Sequence, residues 1–156
     1  MPAGFLFMST YEIQENDWLI STDKARLDRT LIHNFLSEQS YWAKGIPLET
    51  VNRAIDHSLC FGAYLAGRQI GFARIVTDCA TYAWLADVFV IEAQRGRGFS
   101  KQLMAAVVSH PQLQGLRRFM LGTADAHGLY QQFGFAPIKQ VERFMEIYEP
   151  NPYKCK

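Results

Sequence analysis

The fold prediction rests on residues 85–104, which read Leu85-Ala86-Asp87-Val88-Phe89-Val90-Ile91-Glu92-Ala93-Gln94-Arg95-Gly96-Arg97-Gly98-Phe99-Ser100-Lys101-Gln102-Leu103-Met104. It joins an apolar run to a glycine-rich basic turn and then to an amphipathic segment. The run from Tyr82 to Ile91 is short and rich in aromatic and β-branched residues, which favours a strand covered on both faces. The sequence therefore predicts a central strand, an anion-binding loop and a helix.

The basic turn has the composition of a phosphate-binding loop. Gly96 and Gly98 carry no Cβ, so the main chain can turn tightly there and approach a ligand closely. The start of the following helix points unpaired N–H groups at that ligand, and such helix starts bind phosphate. Arg95, Arg97 and Lys101 add positive charge beside it. A Gly-Arg-Gly turn that binds nothing is at least as common, so the loop alone leaves the ligand open.

Two familiar phosphate motifs do not fit the turn. A P-loop needs a Gly-Lys-Ser/Thr ending, and the dinucleotide fingerprint would place a third glycine at Lys101. Residues 95–100 resemble instead the Arg/Gln-x-x-Gly-x-Gly/Ala signature of the GCN5-related N-acetyltransferase (GNAT) family, with Ser100 as the last small residue. Residues 126–135 resemble that family's Ala-x-x-Leu-Tyr-x-x-x-Gly-Phe segment. The resemblance covers roughly residues 60 to 148.

The resemblance to the GNAT family implies a fold and a reaction. The implied fold is α/β (α+β), with a mixed, mostly antiparallel central sheet flanked by helices and a splayed parallel strand pair that binds acyl-CoA. The implied activity is direct transfer of acetyl from acetyl-CoA to a primary amine of a small molecule or peptide. The alternative is a non-catalytic module that senses coenzyme A or acyl-CoA. The implied cofactor contacts are Phe89, Val90, Arg95, Gly96, Arg97, Gly98, Phe99, Ser100, Lys101, Thr123 and Tyr130, with Phe89 and Val90 offering main-chain groups to the pantetheine arm.

Tyr130 stands where the family usually places a tyrosine near the sulfur of coenzyme A. There it can act as the general acid for the departing thiolate. Because a thiol has a pKa near 8.5, acid help is useful rather than essential. The alternative is a half-buried tyrosine that covers the sheet, and His127 is a second candidate proton carrier. Thr123 occupies the position where the family often has asparagine.

Asp87 is the one charge in an apolar strand, and burying a carboxylate is costly unless a partner compensates it. In related family members an acid at this place contacts the acceptor amine, so Asp87 is a candidate catalytic base or amine anchor. The alternative is an internal ion pair with one of three arginines, Arg74, Arg117 or Arg143. These two interpretations stay open.

The acceptor pocket has further candidates. Tyr41 and Trp42 lie in the loop between two predicted helices, a region that walls the acceptor pocket in the family. Their alternative role is packing of the loop onto the sheet. Arg143 could hold an acceptor carboxylate if it faces the cleft.

Composition limits the class of protein. With 156 residues and 49% hydrophobic content, the chain suits a single domain over residues 1–156. Residues 1–9 are expected to be disordered or to precede the natural start. A net charge of +1 favours neither a nucleic acid nor a membrane partner. Three widely spaced cysteines without metal-ligand spacing favour reduced thiols in a cytoplasmic protein with no metal. A homodimer stays open as the assembly.

The other elements follow from local signals. The pattern predicts a short strand near residues 10–20, a helix capped by residues 21–23, and a second helix after Pro47. A hairpin turns at Gly67, and a crossover helix from Gly98 leads to a parallel strand at 116–121. A short helix at 124–132, two closing strands at 135–139 and 143–148, and a frayed tail from Pro150 complete the prediction.

Overall fold

The computed structural model describes residues 9–154. Six strands form one sheet in the order of the chain: β1 Glu12–Glu15, β2 Trp18–Ser21, β3 Leu59–Leu65, β4 Arg68–Thr77, β5 Tyr82–Val90 and β6 Arg118–Leu121. The helices are α1 Arg29–Asn34, α2 Leu48–Asp56, α3 Phe99–Ser109 and α4 His127–Gln131. The expectation for residues 1–9 falls, apart from Ser9, outside the described residues.

Neighbouring strands pair antiparallel except for β5 and β6, which pair in parallel. This mixed sheet confirms the predicted fold class. Gly67 has φ +77° in the β3–β4 turn, a conformation that glycine adopts without strain. Helix α3 makes the crossover to β6, and it ends at Ser109 because Pro111 cannot continue the helix.

The sheet separates two apolar cores. On one face α3 buries Leu103 and Val107 against strand residues such as Leu85. On the other face α1 and α2 bury Ile32 and Ile55 against residues that include Phe72 and Phe89. The sheet is therefore covered by helices on both faces, with different helices on each face.

Strand β5 is not central, and it is not covered along both faces as the sequence predicts. It is the fifth of six strands, beside the edge strand β6. Its Ala83 and Leu85 are buried under α3, whereas Tyr82 and Trp84 on the opposite face are 39% and 37% exposed. The apolar composition of the strand does not reveal that one face is partly open.

The parallel strands part halfway along β5. Their pairing runs from Tyr82 opposite Arg118 to Leu85 opposite Leu121, where β6 ends. Strand β5 continues alone on that side to Val90. The expected splayed pair is thus formed by one long and one short strand.

The first predicted helix begins later than the sequence suggests. The Asp23 side chain accepts a hydrogen bond from Ala25 N and caps only a 3-10 turn, Lys24–Arg26. Asp28 accepts from Leu31 N at 2.9 Å and starts α1. Leu27 lies between them in an extended conformation, because two successive aspartate caps compete for the helix start.

The predicted closing strands are wrong. Within residues 9–154 the chain after α4 contains only a 3-10 turn, Val141–Arg143, and no strand. Met145 and Ile147 have relative exposures of 99% and 106%. The local alternation suits a strand, but a strand also needs a partner for its main-chain groups, and Pro137 offers no N–H.

The C-terminal tail is not frayed throughout. Tyr153 is half-buried and packs against the core beneath α1 and α2. Its ring gains enough apolar contact to bring the end of the described chain back to the sheet. None of the described helices is long and apolar enough to cross a membrane.

Candidate active site

A cleft opens where β5 and β6 part. Its volume is about 500 Å³, and it is lined by residues 85–88 of β5, by residues 121–126 after β6 and by Tyr130. The loop after α1 adds Tyr41 and Trp42. The cleft therefore brings together five of the predicted site residues: Tyr41, Trp42, Asp87, Thr123 and Tyr130.

Tyr41 and Trp42, in the loop after α1, contact both sides of the cleft. The Tyr41 hydroxyl accepts a hydrogen bond from Ala124 N at 2.9 Å, on the β6 side. Trp42 Nε1 donates to Asp87 Oδ1 at 2.9 Å, on the β5 side. The two rings meet edge to face, with centroids 5.0 Å apart. Both aromatic residues face the cleft while being held by polar contacts, so the loop is positioned rather than merely packed.

Asp87 faces the cleft and is also paired with an arginine. Its Oδ2 accepts from Arg74 Nε at 2.7 Å, and the two side chains are only 10% and 18% exposed. Arg74 in turn donates to Ser58 Oγ at 3.2 Å. Of the arginines considered from the sequence, Arg74 is the partner. The two interpretations of Asp87 are compatible, since the ion pair lies at the wall of the cleft.

The backbone at Asp87 explains how its side chain reaches the cleft. The register of β4 and β5 shifts between Phe72 and Arg74, and Asp87 has φ +54° at this irregularity. A β-bulge inserts a residue into one strand and re-aims the side chains beside it. Aspartate tolerates the left-handed conformation better than most residues.

The glycine-rich loop has the geometry expected of a phosphate site. Gly96 and Gly98 have φ +76° and +83°, and no atom lies within 4 Å of where a Cβ would stand on either. Gly98 begins α3 without a side-chain cap, and the first helical bond runs from Gln102 N to Gly98 O. The N–H groups of the first turn therefore point to open space in front of α3.

The cations of this loop are exposed and differ in their contacts. Arg95 Nε donates to Val90 O at 3.1 Å, which ties the loop to the end of β5. Arg97 donates to Gln94 Oε1, and its guanidinium lies 5.2 Å from the centre of the Phe99 ring. Within residues 9–154, neither these two arginines nor Lys101 forms an ion pair. An anion can therefore reach three uncompensated positive charges.

Phe89 and Val90 differ in what they offer the open side of β5. The Phe89 carbonyl oxygen lies 2.9 Å from the position of a Cβ on Gly71, so it faces β4. The Phe89 ring stacks on Phe35 at 3.9 Å and belongs to the core. Because main-chain groups alternate along a strand, Val90 faces the other way. The main chain of Val90 thus faces away from β4, with its carbonyl oxygen accepting from Arg95 Nε, whereas the main chain of Phe89 faces β4.

Tyr130, the fourth residue of α4, is 9% exposed and lines the cleft. Burial raises the pKa of its hydroxyl to about 12, with smaller contributions from Tyr41 and Asp125. The hydroxyl therefore keeps its proton throughout the neutral range and is available there as a hydrogen-bond donor. His127 is exposed and does not line the cleft, although it faces a neighbouring groove that Tyr130 also touches.

Of two further predicted site residues, Thr123 lines the cleft and Arg143 does not. Thr123 Oγ1 accepts from Ala126 N at 3.0 Å, so this side chain shapes the entry to α4 at the edge of the cleft. Arg143, which the structure describes, is exposed in the last 3-10 turn and lines neither the cleft nor the groove beside it. The structure does not bring Arg143 to the other site residues.

Sequence reasoning missed two aromatic residues of the cleft, Trp84 and Tyr148. The two-residue period of β5 places Trp84 on the same face as Ala86, a signal that could have identified it. Tyr148 carries no such signal, because its position depends on the path of the tail. Among the described residues, no cluster of three or more His, Cys, Asp or Glu side chains could hold a metal ion.

Known proteins share both the sequence and the fold. Residues 29–135 match the acetyltransferase (GNAT) family. A candidate acetyltransferase of Gibberella zeae is 31% identical over 136 residues, which span 73% of this chain and 76% of that protein. A crystal structure of a candidate GNAT acetyltransferase from Xanthomonas campestris pv. campestris is 54% identical, with a TM-score of 0.87 over 91% of this chain and 100% of its own.

A more distant structure shares the fold alone. It is a GNAT family acetyltransferase from Elizabethkingia anophelis with acetyl-CoA bound, 17% identical, with a TM-score of 0.58 over 86% of this chain and 90% of its own. The family match covers more than half of the chain, and it includes the glycine-rich loop and the segment around Tyr130. By sequence and by fold, this chain belongs to the GNAT family of N-acetyltransferases.

Proposed function

We propose that this chain transfers acetyl directly from acetyl-CoA to a primary amine, with Tyr130 and Asp87 acting from opposite walls of one cleft. The observation that carries the proposal is their shared position where β5 and β6 part. The glycine-rich loop follows β5 directly, so one strand leads from the proposed phosphate site to the proposed reaction site.

The cofactor is proposed to lie along β5. Its pyrophosphate would contact the first-turn N–H groups of α3, with Arg95, Arg97 and Lys101 around it. The pantetheine arm would pass the main chain of Val90 and enter the gap left by the end of β6. The exposed cations and the open space in front of Gly98 support this placement.

The amine would be anchored at Asp87. Each carboxylate oxygen already accepts one hydrogen bond, from Trp42 Nε1 or Arg74 Nε, and keeps capacity for a further N–H donor. Arg74 compensates the charge of Asp87, which favours an anchoring role over that of a strong base. The neutral amine nitrogen attacks the thioester carbonyl carbon, a C–N bond forms, and the C–S bond breaks.

Tyr130 would stabilise the departing sulfur by donating a hydrogen bond. Moving a proton from a phenol of pKa about 12 to a thiolate of pKa about 8.5 is uphill by about 5 kcal/mol. The tyrosine therefore holds the thiolate without giving up its own proton. The proton that the amine loses ends on the thiol of coenzyme A.

Cys60 and Cys79 support a reducing compartment such as the cytoplasm, since both are free thiols. The Cys60 thiol is buried, and burial raises its pKa to about 12, which makes it unreactive. A covalent acyl-cysteine intermediate at Cys60 is therefore not part of the proposed reaction.

The test is release of free coenzyme A thiol from acetyl-CoA in the presence of a panel of primary amines. We expect amine-dependent release, with the acetylated amine identified by mass spectrometry. Calorimetry with coenzyme A measures binding separately. Tight binding of coenzyme A with no acetylation of any amine would overturn the transfer reaction and favour the sensor module.

A further inference from the structure

A second cavity adjoins the cleft behind Asp87. Its volume is about 280 Å³, and it lies between the sheet and the helices α1 and α2. It shares Trp42, Trp84, Ala86 and Asp87 with the cleft. The Asp87 carboxylate therefore stands at the boundary between the cleft and this second cavity.

Most side chains that line this second cavity are hydrophobic, although Thr50, Arg74 and Asp87 also line it, and we call it the apolar recess. Six hydrophobic side chains from α1, α2, the loop between them and β4 define it: Ile32, Leu36, Ile46, Val51, Ile55 and Phe72. All six are at most 7% exposed. The recess therefore lies against the packed core beneath α1 and α2, and an apolar group that packs against these side chains is favoured.

Charge is confined to the mouth of the recess. Among the described residues that line it, Asp87 and Arg74 are the only charged ones, and they are paired with each other at 2.7 Å. A second cation deeper in the recess would meet hydrocarbon and the Arg74 guanidinium, without a carboxylate to compensate it. A peptide main chain would likewise leave N–H and C=O groups unsatisfied there.

The C-terminal tail closes the recess. Tyr148 lines the cleft and Tyr153 lines the recess, so the tail passes from one cavity to the other. Tyr153 is half-buried and packs against the same core as α1 and α2. The tail therefore sets a limit to the length of any group that enters the recess from Asp87.

We propose that the acceptor is a small primary amine with one positive charge and an apolar tail, its nitrogen at Asp87 and its tail in the apolar recess. This inference rests on the proposed transfer reaction and names its substrate class. The bound ammonium group first loses one proton to water. The neutral amine and acetyl-CoA then give the N-alkylacetamide and coenzyme A, and the second proton lost by nitrogen is the one gained by sulfur.

The test compares linear primary amines from propylamine to hexylamine under acetyl-CoA saturation. Each methylene buried in the recess contributes about 0.8 kcal/mol, so kcat/KM should rise about 4-fold per added methylene. The diamine of the same length as hexylamine should have a kcat/KM at least ~10-fold lower, because its second charge must enter the recess. A lysine-containing peptide should also be a poor acceptor.

A variant that fills the recess tests the location of the tail. Ala54 lines the recess from α2, so Ala54→Leu should lower kcat/KM for hexylamine at least ~10-fold while changing that for propylamine less than ~3-fold. The matched control is Ala105→Leu, since Ala105 is exposed on α3 and lines neither cavity. Tyr153→Ala should extend the preference to longer amines. Thermal unfolding of each variant establishes that it is folded.

The outcomes separate this inference from the transfer reaction. Acetylation with no dependence on chain length, or a preference for the diamine or the peptide, overturns the apolar acceptor while the transfer reaction stands. An equal effect of Ala54→Leu on both amines overturns the placement of the tail. Binding of coenzyme A without acetylation of any amine overturns both.

Discussion

Replacing Asp87 with asparagine separates the charge of this residue from its shape. Asparagine has nearly the same volume and also tolerates the φ of +54° found here, so the backbone of β5 should not change. Its amide oxygen can still accept from Trp42 Nε1. What is lost is the charge opposite Arg74 Nε, 2.7 Å away.

The cost in stability follows from this geometry. Breaking a fully buried ion pair costs about 3–5 kcal/mol, and a hydrogen bond to a charged group contributes about 1.5–3 kcal/mol. The pair is 10% and 18% exposed at the wall of an open cleft, and asparagine keeps one hydrogen bond. We therefore expect a loss of about 1–3 kcal/mol in the free energy of unfolding, or roughly 2–10 °C in Tm for a domain of this size.

The effect of Asp87→Asn on activity tests whether Asp87 anchors the amine. If the amine donates to the Asp87 carboxylate, removal of the charge should lower kcat/KM for the amine by about 10–100-fold per folded molecule. The KM for acetyl-CoA should stay within about 2-fold, because the proposed phosphate contacts lie in the loop at residues 95–101, beyond the end of β5. Steady-state kinetics at a temperature well below the Tm of the variant measure both.

The matched control is Arg74→Gln, which removes the other member of the pair and leaves the carboxylate in place. It should lower Tm by a similar amount but impair amine kinetics less than Asp87→Asn does. A large fall in Tm for Asp87→Asn with unchanged amine kinetics would refute the anchor and leave Asp87 as a structural residue.

The remaining predictions concern Tyr130, the high-pH stability and the glycine-rich loop. Tyr130→Phe should lower kcat by about 10²-fold with nearly unchanged coenzyme A affinity by calorimetry, and wild-type turnover would show that Tyr130 does not stabilise the departing sulfur. Burial raises the pKa of Tyr130 to about 12 and also raises the pKa of Tyr64. The unfolded chain therefore loses these two protons near pH 10, whereas the folded chain keeps them, so the free energy of unfolding should fall as pH rises from 10 toward 12. Denaturation curves that coincide at pH 9 and pH 11 would contradict this. Gly98→Val should weaken coenzyme A binding at least ~100-fold by blocking the approach of phosphate, whereas Gly115→Val, which imposes similar backbone strain at φ +70°, should lower Tm and leave binding intact.

Elements whose signals are local follow from the sequence. The hairpin turn at Gly67, the start of α2 after Pro47 and the end of α3 before Pro111 each depend on the backbone restrictions or freedom of one glycine or proline. The glycine-rich loop is equally local, since the positive φ of Gly98 and the free first turn of α3 belong to neighbouring residues. For these features, sequence and structure agree because backbone sterics act over a few residues.

The site contacts depend on the tertiary structure. Asp87 meets Arg74 because a bulge between β4 and β5 re-aims its side chain, and no pattern within β5 encodes the register of β4. Tyr41 accepts from Ala124, which lies 83 residues away in the chain. Such contacts form only when strands and loops distant in the chain are brought to one edge of the sheet.

For some residues, the residue type suggested a role but the position in the folded structure decided it. The sequence alone singled out Tyr130 and Asp87 as unusual, and it predicted the loop that leads to them. The alternation in residues 143–148 equally suggested a strand, yet that segment has no partner in the described chain. Residue type and spacing specify local conformation and chemistry, whereas pairing, burial and the apolar recess arise from contacts between segments far apart in the chain, which only the folded structure brings together.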